Sequence, residues 1–475
     1  MILLLLSSCL LRLRSPDKVY CFAYDRDEWS EDTSEVLDAS ISIYGEDAGD
    51  LVGLSIAPLD DIDGDNKQEL LIGAPGANNS SGKIYLRFGS SFGNTIGLGT
   101  ASYSLSDSDI MITGENAGDQ AGYRIFSTGD IDGDALPDIL IGAPGNDEAG
   151  NNAGKIYLFL GKSIQGQAAL RLANADYSFL GEEAGNQIGM VMSAGDVDGD
   201  GKADILIGVE EYGESRQGKA YLILGSSLGE TSTINLSSAD YSFQDDVLFS
   251  RFGASLSNTQ DVDGDGKADI LIGASDNQEQ GTEGGKAYLI FASTLIDGTI
   301  VNEEGKVDVA QADSQLYGYD GHTNFGHFVS MVEDLNGDGS AELLIGGYDE
   351  YNYGQVHVFS RSDVLIDQVI TLSSDAQYYS GVSAQFFRFS SEDYGLVMRE
   401  NYDVKMVFTG EDVSLSPFGP EFSLDYYSEG DDMSLVDLNG DGYPEILIGS
   451  SEAENENLDA TGRILVYTSC RSPLD

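Results

Sequence analysis

The 475-residue chain is poor in the residues that usually cross-link a fold or move protons at neutral pH: 3 Cys, 3 His, 1 Trp and 9 Pro. Basic residues are scarce too, 24 Lys and Arg against 81 Asp and Glu, for a net charge of −57. Three cysteines do not make a disulfide framework, and no apolar run reaches the ~18 residues that a membrane span needs. The charge repels phosphate backbones and anionic headgroups, so nucleic acid and acidic membranes are poor partners and cations are the natural ones. Disorder is not the consequence, because 41% hydrophobic residues, with 25 Tyr and 19 Phe, supply ample core. What is abundant is glycine, 59 residues, which suits many tight turns joining short strands.

Residues 1–14, MILLLLSSCLLRLR, read as a truncated or atypical export signal, and Leu6-Ser7-Ser8-Cys9 resembles a bacterial lipoprotein box with Cys9 as the lipidated residue. Residues 1–35 are expected to be leader and tail, 36–470 one domain, and 471–475 a C-terminal tail.

One segment occurs six times. It begins DDIDGDNKQELLIGAP at Asp60, GDIDGDALPDILIGAP at Gly129, GDVDGDGKADILIGVE at Gly195, QDVDGDGKADILIGAS at Gln260, EDLNGDGSAELLIGGY at Glu333 and VDLNGDGYPEILIGSS at Val436. Each acidic loop follows a lead-in such as GEDAGD (45–50), GENAGD (114–119) or GEEAGN (181–186), and precedes ILIG and an alternating run such as KIYLRF or KAYLIL. Apolar runs of four to six residues bounded by Gly, Asn and Asp are strand signals, so each unit is expected to be four short antiparallel strands. Such units at a period of about 65 to 70 residues suit an all-β propeller, where radial repetition leaves only short edges. The segment 36–49 matches a fourth strand plus lead-in, whereas the last unit stops after a third strand at 463–469, so the N-terminal strand is expected to complete the last blade. That closure would bring Cys470 near the start of the 36–43 strand, where a bridge to Cys21 and two free thiols are both open. The longest repeat spacing contains FFRFSS, YGLVMRE, YDVKMVFT and PEFSLDYY, the strands of a metal-free blade within 381–430; seven blades are expected, with six and an insertion as the alternative.

The acidic loops place oxygen donors at positions 1, 3, 5 and 9. These are Asp61, Asp63, Asp65 and Glu69; Asp130, Asp132, Asp134 and Asp138; Asp196, Asp198, Asp200 and Asp204; Asp261, Asp263, Asp265 and Asp269; Asp334, Asn336, Asp338 and Glu342; and Asp437, Asn439, Asp441 and Glu445. Four carboxylates within nine residues repel one another unless a cation sits among them, and the intervening glycines let the backbone turn sharply. Oxygen-only donors select a hard ion, and a flexible loop suits Ca²⁺ better than Mg²⁺; about six Ca²⁺ ions are expected. By analogy with related loops, position 7 would add its backbone carbonyl. An EF-hand needs a Glu at position 12, where the third loop has Ile207 in a strand. Ala135 and Pro137 make the loop from Asp130 the most doubtful, and the Asn-containing loops from Asp334 and Asp437 should bind more weakly. At ten times a dissociation constant of about 0.1–1 mM, each site would contribute roughly 1.4 kcal/mol.

These residues resemble FG-GAP repeats, the units of the propeller at the head of integrin α chains. Phe252-Gly253 and Phe325-Gly326 match the first half, Gly73-Ala74-Pro75 and Gly142-Ala143-Pro144 the second, and the loops between match the family's calcium motif. Val52-Gly53 and Ile188-Gly189 depart from the first half, and GVE, GAS, GGY and GSS from the second, which should affect packing rather than metal. The resemblance covers about 36–470 and implies a secreted or cell-surface, monomeric adhesion module for an extracellular protein or carbohydrate ligand. Its partner face would carry the loops between second and third strands, 210–218, 275–285, 348–354 and 451–462, where Tyr348, Tyr351 and Tyr353 are either stacking platforms or solvated turn residues. No catalytic residue is expected. The alternatives are a propeller enzyme acting on polysaccharide, with His322, His327 and His357 as available bases, and a structural surface-layer component. No GxSxG elbow, zinc-type His/Cys set or phosphate loop supports an enzyme.

Overall fold

The computed structural model describes residues 41–93, 101–318 apart from 214, 230 and 280–283, and 324–359 apart from 335–338 and 349–353. It also describes the strands 21–23, 368–371, 383–388, 394–400 and 403–409, and residues 432–470 apart from 441–443 and 452–460. The strands of the described residues fall into seven separate sheets. The first contains Ile56–Leu59, Glu69–Ala74, Lys83–Arg87 and Ile110–Thr113, all antiparallel to their neighbours. The same four-strand order recurs in the sheets that begin at Ile125, Val191, Phe252 and Phe328. The sixth is three-stranded, Ser383–Arg388, Tyr394–Glu400 and Asp403–Thr409; the further strand expected over 420–427 lies outside the described residues.

In the seventh sheet, Asp432–Val436, Glu445–Ser450 and Arg463–Cys470 are joined by Ile41–Tyr44, antiparallel to Arg463–Val466. The N-terminal strand therefore completes the last sheet, as the sequence indicates. Cys21–Ala23 pairs with the end of the same strand in parallel, with Cys21 opposite Thr468 and Ala23 opposite Cys470, so the two cysteines are offset by two positions along the ladder.

Four-strand antiparallel units are only part of the architecture. A short strand between the third and fourth strands of one unit lies parallel to the outer strand of the preceding sheet: Ala101–Ser104 on Ile41–Tyr44, Ala169–Arg171 on Ile110–Thr113, Thr233–Asn235 on Tyr177–Leu180, and Lys306–Asp308 on Tyr241–Gln244. Each hooks its own unit onto the neighbour.

There is no single central core. Every residue of Glu69–Ala74 is buried, and its side chains alternate between two layers. Leu70 and Ile72 pack with Ile43, Leu447 and Ile464 of the seventh sheet, whereas Leu71 packs with Ile125, Ile139 and Ile141 of the second. Leu206 and its neighbours Ile205 and Ile207 divide likewise between the fourth and second sheets. A strand buried on both faces reads as a continuous apolar run, which is why ILIG recurs. The layer between the seventh and first sheets has the same character as those that join the first five, so the first and last sheets are neighbours.

The glycines of the repeat mark the seams. Gly73, Gly142, Gly208, Gly273 and Gly449 each stand against the carbonyl of a lead-in glycine of the next sheet, Gly122, Gly189, Gly253, Gly326 and Gly53 respectively, where a Cβ would overlap it. The lead-in glycines themselves have φ between +84° and +96°, a region that favours Gly.

Candidate metal loops

Each acidic loop joins the first strand of its sheet to the second, at one corner of every repeat. In the first, Asp61 Oδ1 accepts the N–H groups of Gly64 (2.6 Å) and Asp65 (3.0 Å) and Oδ2 that of Asn66 (2.7 Å). Asp63 Oδ1 accepts Asp65 N–H (3.1 Å) and Asp65 Oδ1 accepts Lys67 N–H (2.9 Å). The pattern repeats about Asp130, Asp196 and Asp261, and in part at Asp334 and Asp437. The turn needs a left-handed residue at position 6. Gly201 and Gly266 take φ of +88° and +89°, and Asn66 and Ala135 take the same turn at +63° and +67°. The strain expected of Ala135 is thus present, but the loop around it keeps its form.

The structure gathers Asp61, Asp63 and Glu69; Asp130, Asp132 and Asp138; Asp196, Asp198 and Asp204; and Asp261, Asp263 and Asp265, with one ligand atom of each residue within 4.8 Å of the others in its set. Asp65, Asp134, Asp200 and Asp269 belong to the same loops but stand outside these groups. Asn336, Asp338 and Asp441 lie outside the described residues. In the last loop, Glu445 accepts Leu438 N–H (2.9 Å) and the Asn439 amide (2.9 Å).

Position 9 differs from the rest. Glu69, Asp138, Asp204, Asp269 and Glu445 are fully buried, and Glu342 nearly so. Asp204 accepts Val197 N–H on Oδ2 (2.8 Å) and Gly225 N–H on Oδ1 (2.8 Å), the latter from the short helical turn after the third strand. Glu69 does the same with Ile62 and Gly89, Asp138 with Ile131 and Gly161, and Asp269 with Val262 and Ala292. The carboxylate thereby ties the loop to the end of the third strand. Sequence reasoning missed these amide donors; the signal for them is the small residue in second place of FGSS, LGKS, LGSS and FAST at 88–91, 160–163, 224–227 and 291–294.

Burial, only partly offset by the amide donors, pushes Glu69, Asp138, Asp204 and Asp269 up to about 7. Burial and then the neighbouring Asp raise Asp63, Asp132 and Asp263 as well. Among the described residues, none of the four loops that begin at Asp61, Asp130, Asp196 and Asp261 has a carboxylate in an ion pair with Lys or Arg. A dense group of acids with no ion-paired base among the described residues, on a loop held open by glycine, fits a hard divalent cation.

Lysines are used elsewhere. Lys83, Lys155, Lys219 and Lys286, at the start of the third strand in the first four sheets, are largely buried and pair with Glu46, with Glu115 and Glu148, with Glu182, and with Glu279. Lys155, Lys219 and Lys286 also lie 4.4–4.7 Å from the ring centroids of Tyr157, Tyr221 and Tyr288. His357 is buried between Phe325 and Phe359, a packing position; His322 lies outside the described residues.

First strands are adjacent from the sixth sheet to the seventh, from the seventh to the first, and from each sheet to the next through the fifth, a succession of like sheets that defines a β-propeller. FG-GAP repeats are recognised at residues 52–86, 122–159, 189–223, 252–290, 325–359 and 430–467. The chain is an FG-GAP repeat protein, integrin-α-like in sequence. It is 28% identical over 221 residues to integrin alpha-PS2 of Drosophila melanogaster, covering 45% of this chain and 14% of that one. Identity to integrin alpha-5 of Xenopus laevis is 28% over 229 residues, 47% of this chain and 20% of the integrin. A phosphatidylinositol-glycan-specific phospholipase D of Dictyostelium discoideum is 26% identical over 262 residues, 52% of this chain and 27% of that protein. The chain thus spans less than a third of the length of each of these relatives. The WD40 domain of Toxoplasma gondii coronin has a TM-score of 0.47 and 9% identity, over 92% of this chain and 88% of its own.

Proposed function

We propose that the protein is a calcium-binding propeller that acts at the cell surface or outside the cell as a binding or adhesion module for a protein or carbohydrate ligand. The observation that carries the cation is the recurrence in four loops of three acids within 4.8 Å of one another, at positions 1, 3 and 9 in three loops and 1, 3 and 5 in the fourth, with no ion-paired base among the described residues. Asp61, Asp63, Glu69 and their counterparts would hold the ion, with Asp65, Asp134, Asp200 and Asp269 completing the sets. In the fifth and last loops, Asp334, Asn336, Asp338 and Glu342, and Asp437, Asn439, Asp441 and Glu445, would do so with one charge fewer. The similarity to integrin α chains supports the adhesion role. In this reading residues 36–470 are one monomeric propeller of seven blades, the sheet of Ser383–Thr409 being the metal-free blade. No catalytic role is assigned.

Two measurements test it. Calcium added to the chelated full-length chain should raise its melting temperature saturably; identical melting with and without chelator would end the cation reading. An array of extracellular proteins and glycans, probed with and without chelator, should return a calcium-dependent ligand. Hydrolysis of a polysaccharide that is lost in the H322A/H327A double variant would replace adhesion with catalysis.

A further inference from the structure

The loops touch one another around the ring. The N–H of Ala203, position 8 of the third loop, donates to the backbone carbonyl of Asp130, position 1 of the second (3.0 Å). Ala268 donates in the same way to Asp196 (2.8 Å), Ala341 to Asp261 (3.0 Å), and Gln68 to Asp437 (3.1 Å), across the seam that closes the ring. Gln68 doubles its link, since its side-chain oxygen accepts Asp437 N–H (2.8 Å). The stem of Lys267 also lies against Gly199, that of Lys202 against Gly133 and that of Lys67 against Gly440, each a position-7 lysine resting on position 4 of the preceding loop.

Two junctions lack the backbone link, because position 8 is a proline in the second loop, Pro137, and in the last, Pro444. Proline has no N–H to give, so the carbonyl of Asp61 receives nothing from Pro137. The nearest substitute is a side chain from outside the loop, Gln165 Nε2, which donates to the carbonyl of Ile62 (2.7 Å).

Resting on the reading of these loops as cation sites, we propose that they fill as two coupled sets and not as six independent sites. The last loop is joined to the first, and the second, third, fourth and fifth form a chain; Pro137 breaks the ring between the first loop and the second, and Pro444 between the fifth and the last. The physical reason lies in position 1. Its side chain would hold the cation while its carbonyl holds the residue next to position 9 of the following loop, as Asp130 holds Ala203 beside Asp204. A cation that fixes one loop therefore also fixes the base of the next, and the second ion meets a site already partly ordered. Ordering that one ligand has supplied need not be supplied again by the other, which is positive cooperativity without a change of fold.

The test uses the full-length chain, stripped with chelator and titrated with CaCl₂, with hydrogen exchange read by mass spectrometry on peptides that cover each loop. In the D196A variant the calcium midpoints of the second and fourth loops should rise by about two- to tenfold, the scale of one net hydrogen bond, while those of the first and last loops stay in place. In the natural background D61A should shift the last loop and leave the second unmoved. The P137A variant restores a donor, so D61A added to it should then shift the second loop too. This gain of coupling does not depend on D196A remaining folded. Calcium-dependent protection with midpoints indifferent to the neighbouring deletions would overturn the coupling and leave the cation reading intact. Absence of calcium-dependent protection in every loop would overturn both.

Discussion

Gly449 of the last sheet stands against the carbonyl of Gly53, at the start of the first, as Gly73 stands against that of Gly122. The seam that joins the two ends of the domain is thus built like those inside it. A methyl group on Gly449 would overlap that carbonyl, and the obstacle is backbone, which yields less readily than a flexible side chain. G449A should cost about 1–3 kcal/mol, the usual range for overpacking, and G73A the same. G229A, with open space around it, should stay within about 0.5 kcal/mol. Urea unfolding midpoints of the three variants decide the point; equal midpoints would mean that the seams are looser than described.

The buried position-9 acids make stability depend on pH, with a sign that cations reverse. In the cation-free protein Glu69, Asp138, Asp204 and Asp269 titrate near 7, well above an unfolded carboxylate at ~4. Between those values the native state holds more protons than the unfolded one, so stability falls as pH rises from about 4 to 7. Bound calcium needs the ionised form, and its affinity should therefore grow over the same interval. Denaturation in chelator should give a higher midpoint at pH 5 than at pH 8, and calcium should raise the midpoint far more at pH 8. A chelated protein more stable at pH 8 would contradict this account.

Asp204 needs two acceptor oxygens, because Val197 and Gly225 each direct an N–H at it. D204N sets an amide NH₂ against one of those donors and should destabilise the chelated protein by about 1–3 kcal/mol. D204E should be tolerated better, since Glu69 makes both bonds at the same position of the first loop. Calorimetric unfolding of the two variants, in chelator, separates this structural role from any role in holding an ion.

Lys219 neutralises Glu182 at 3.1 Å while its ammonium lies 4.4 Å from the centroid of Tyr221. K219M keeps most of the volume but leaves a largely enclosed carboxylate without its cation. The loss should approach the ~3–5 kcal/mol of a broken buried pair. The K219M/E182Q double variant should recover much of it, and thermal melting of the two tests that order.

The propeller and its acidic loops were legible in the sequence because both are local. A loop of nine residues carries its own turn, and a doubly buried strand such as Asp204–Val209 declares itself by an unbroken apolar run. The closing strand Ile41–Tyr44 was legible for another reason: counting strands left one surplus at the start and one missing at the end. Ala169–Arg171 was not visible. Two of its three residues are exposed, so it shows no buried alternation, and its partner Met111–Thr113 is distant in sequence. The amide donors to position 9 were hidden likewise, since Gly225 is brought to Asp204 only by the sheet. Ala135 shows the limit of reading turns from residue type, because its neighbours' hydrogen bonds hold it at φ +67°.

The pairing of Ile41–Tyr44 also orders events during synthesis. That strand leaves the ribosome about 420 residues before its antiparallel partner Arg463–Val466. Ile41 and Ile43, wholly enclosed in the finished ring, must wait unpaired on that side until Arg463–Val466 has been made, and an apolar edge left open so long invites contact with other chains. The latch that shuts the ring is thus also a hazard of the nascent chain, and a folding helper that shields this short stretch would have its greatest effect before the last strand appears.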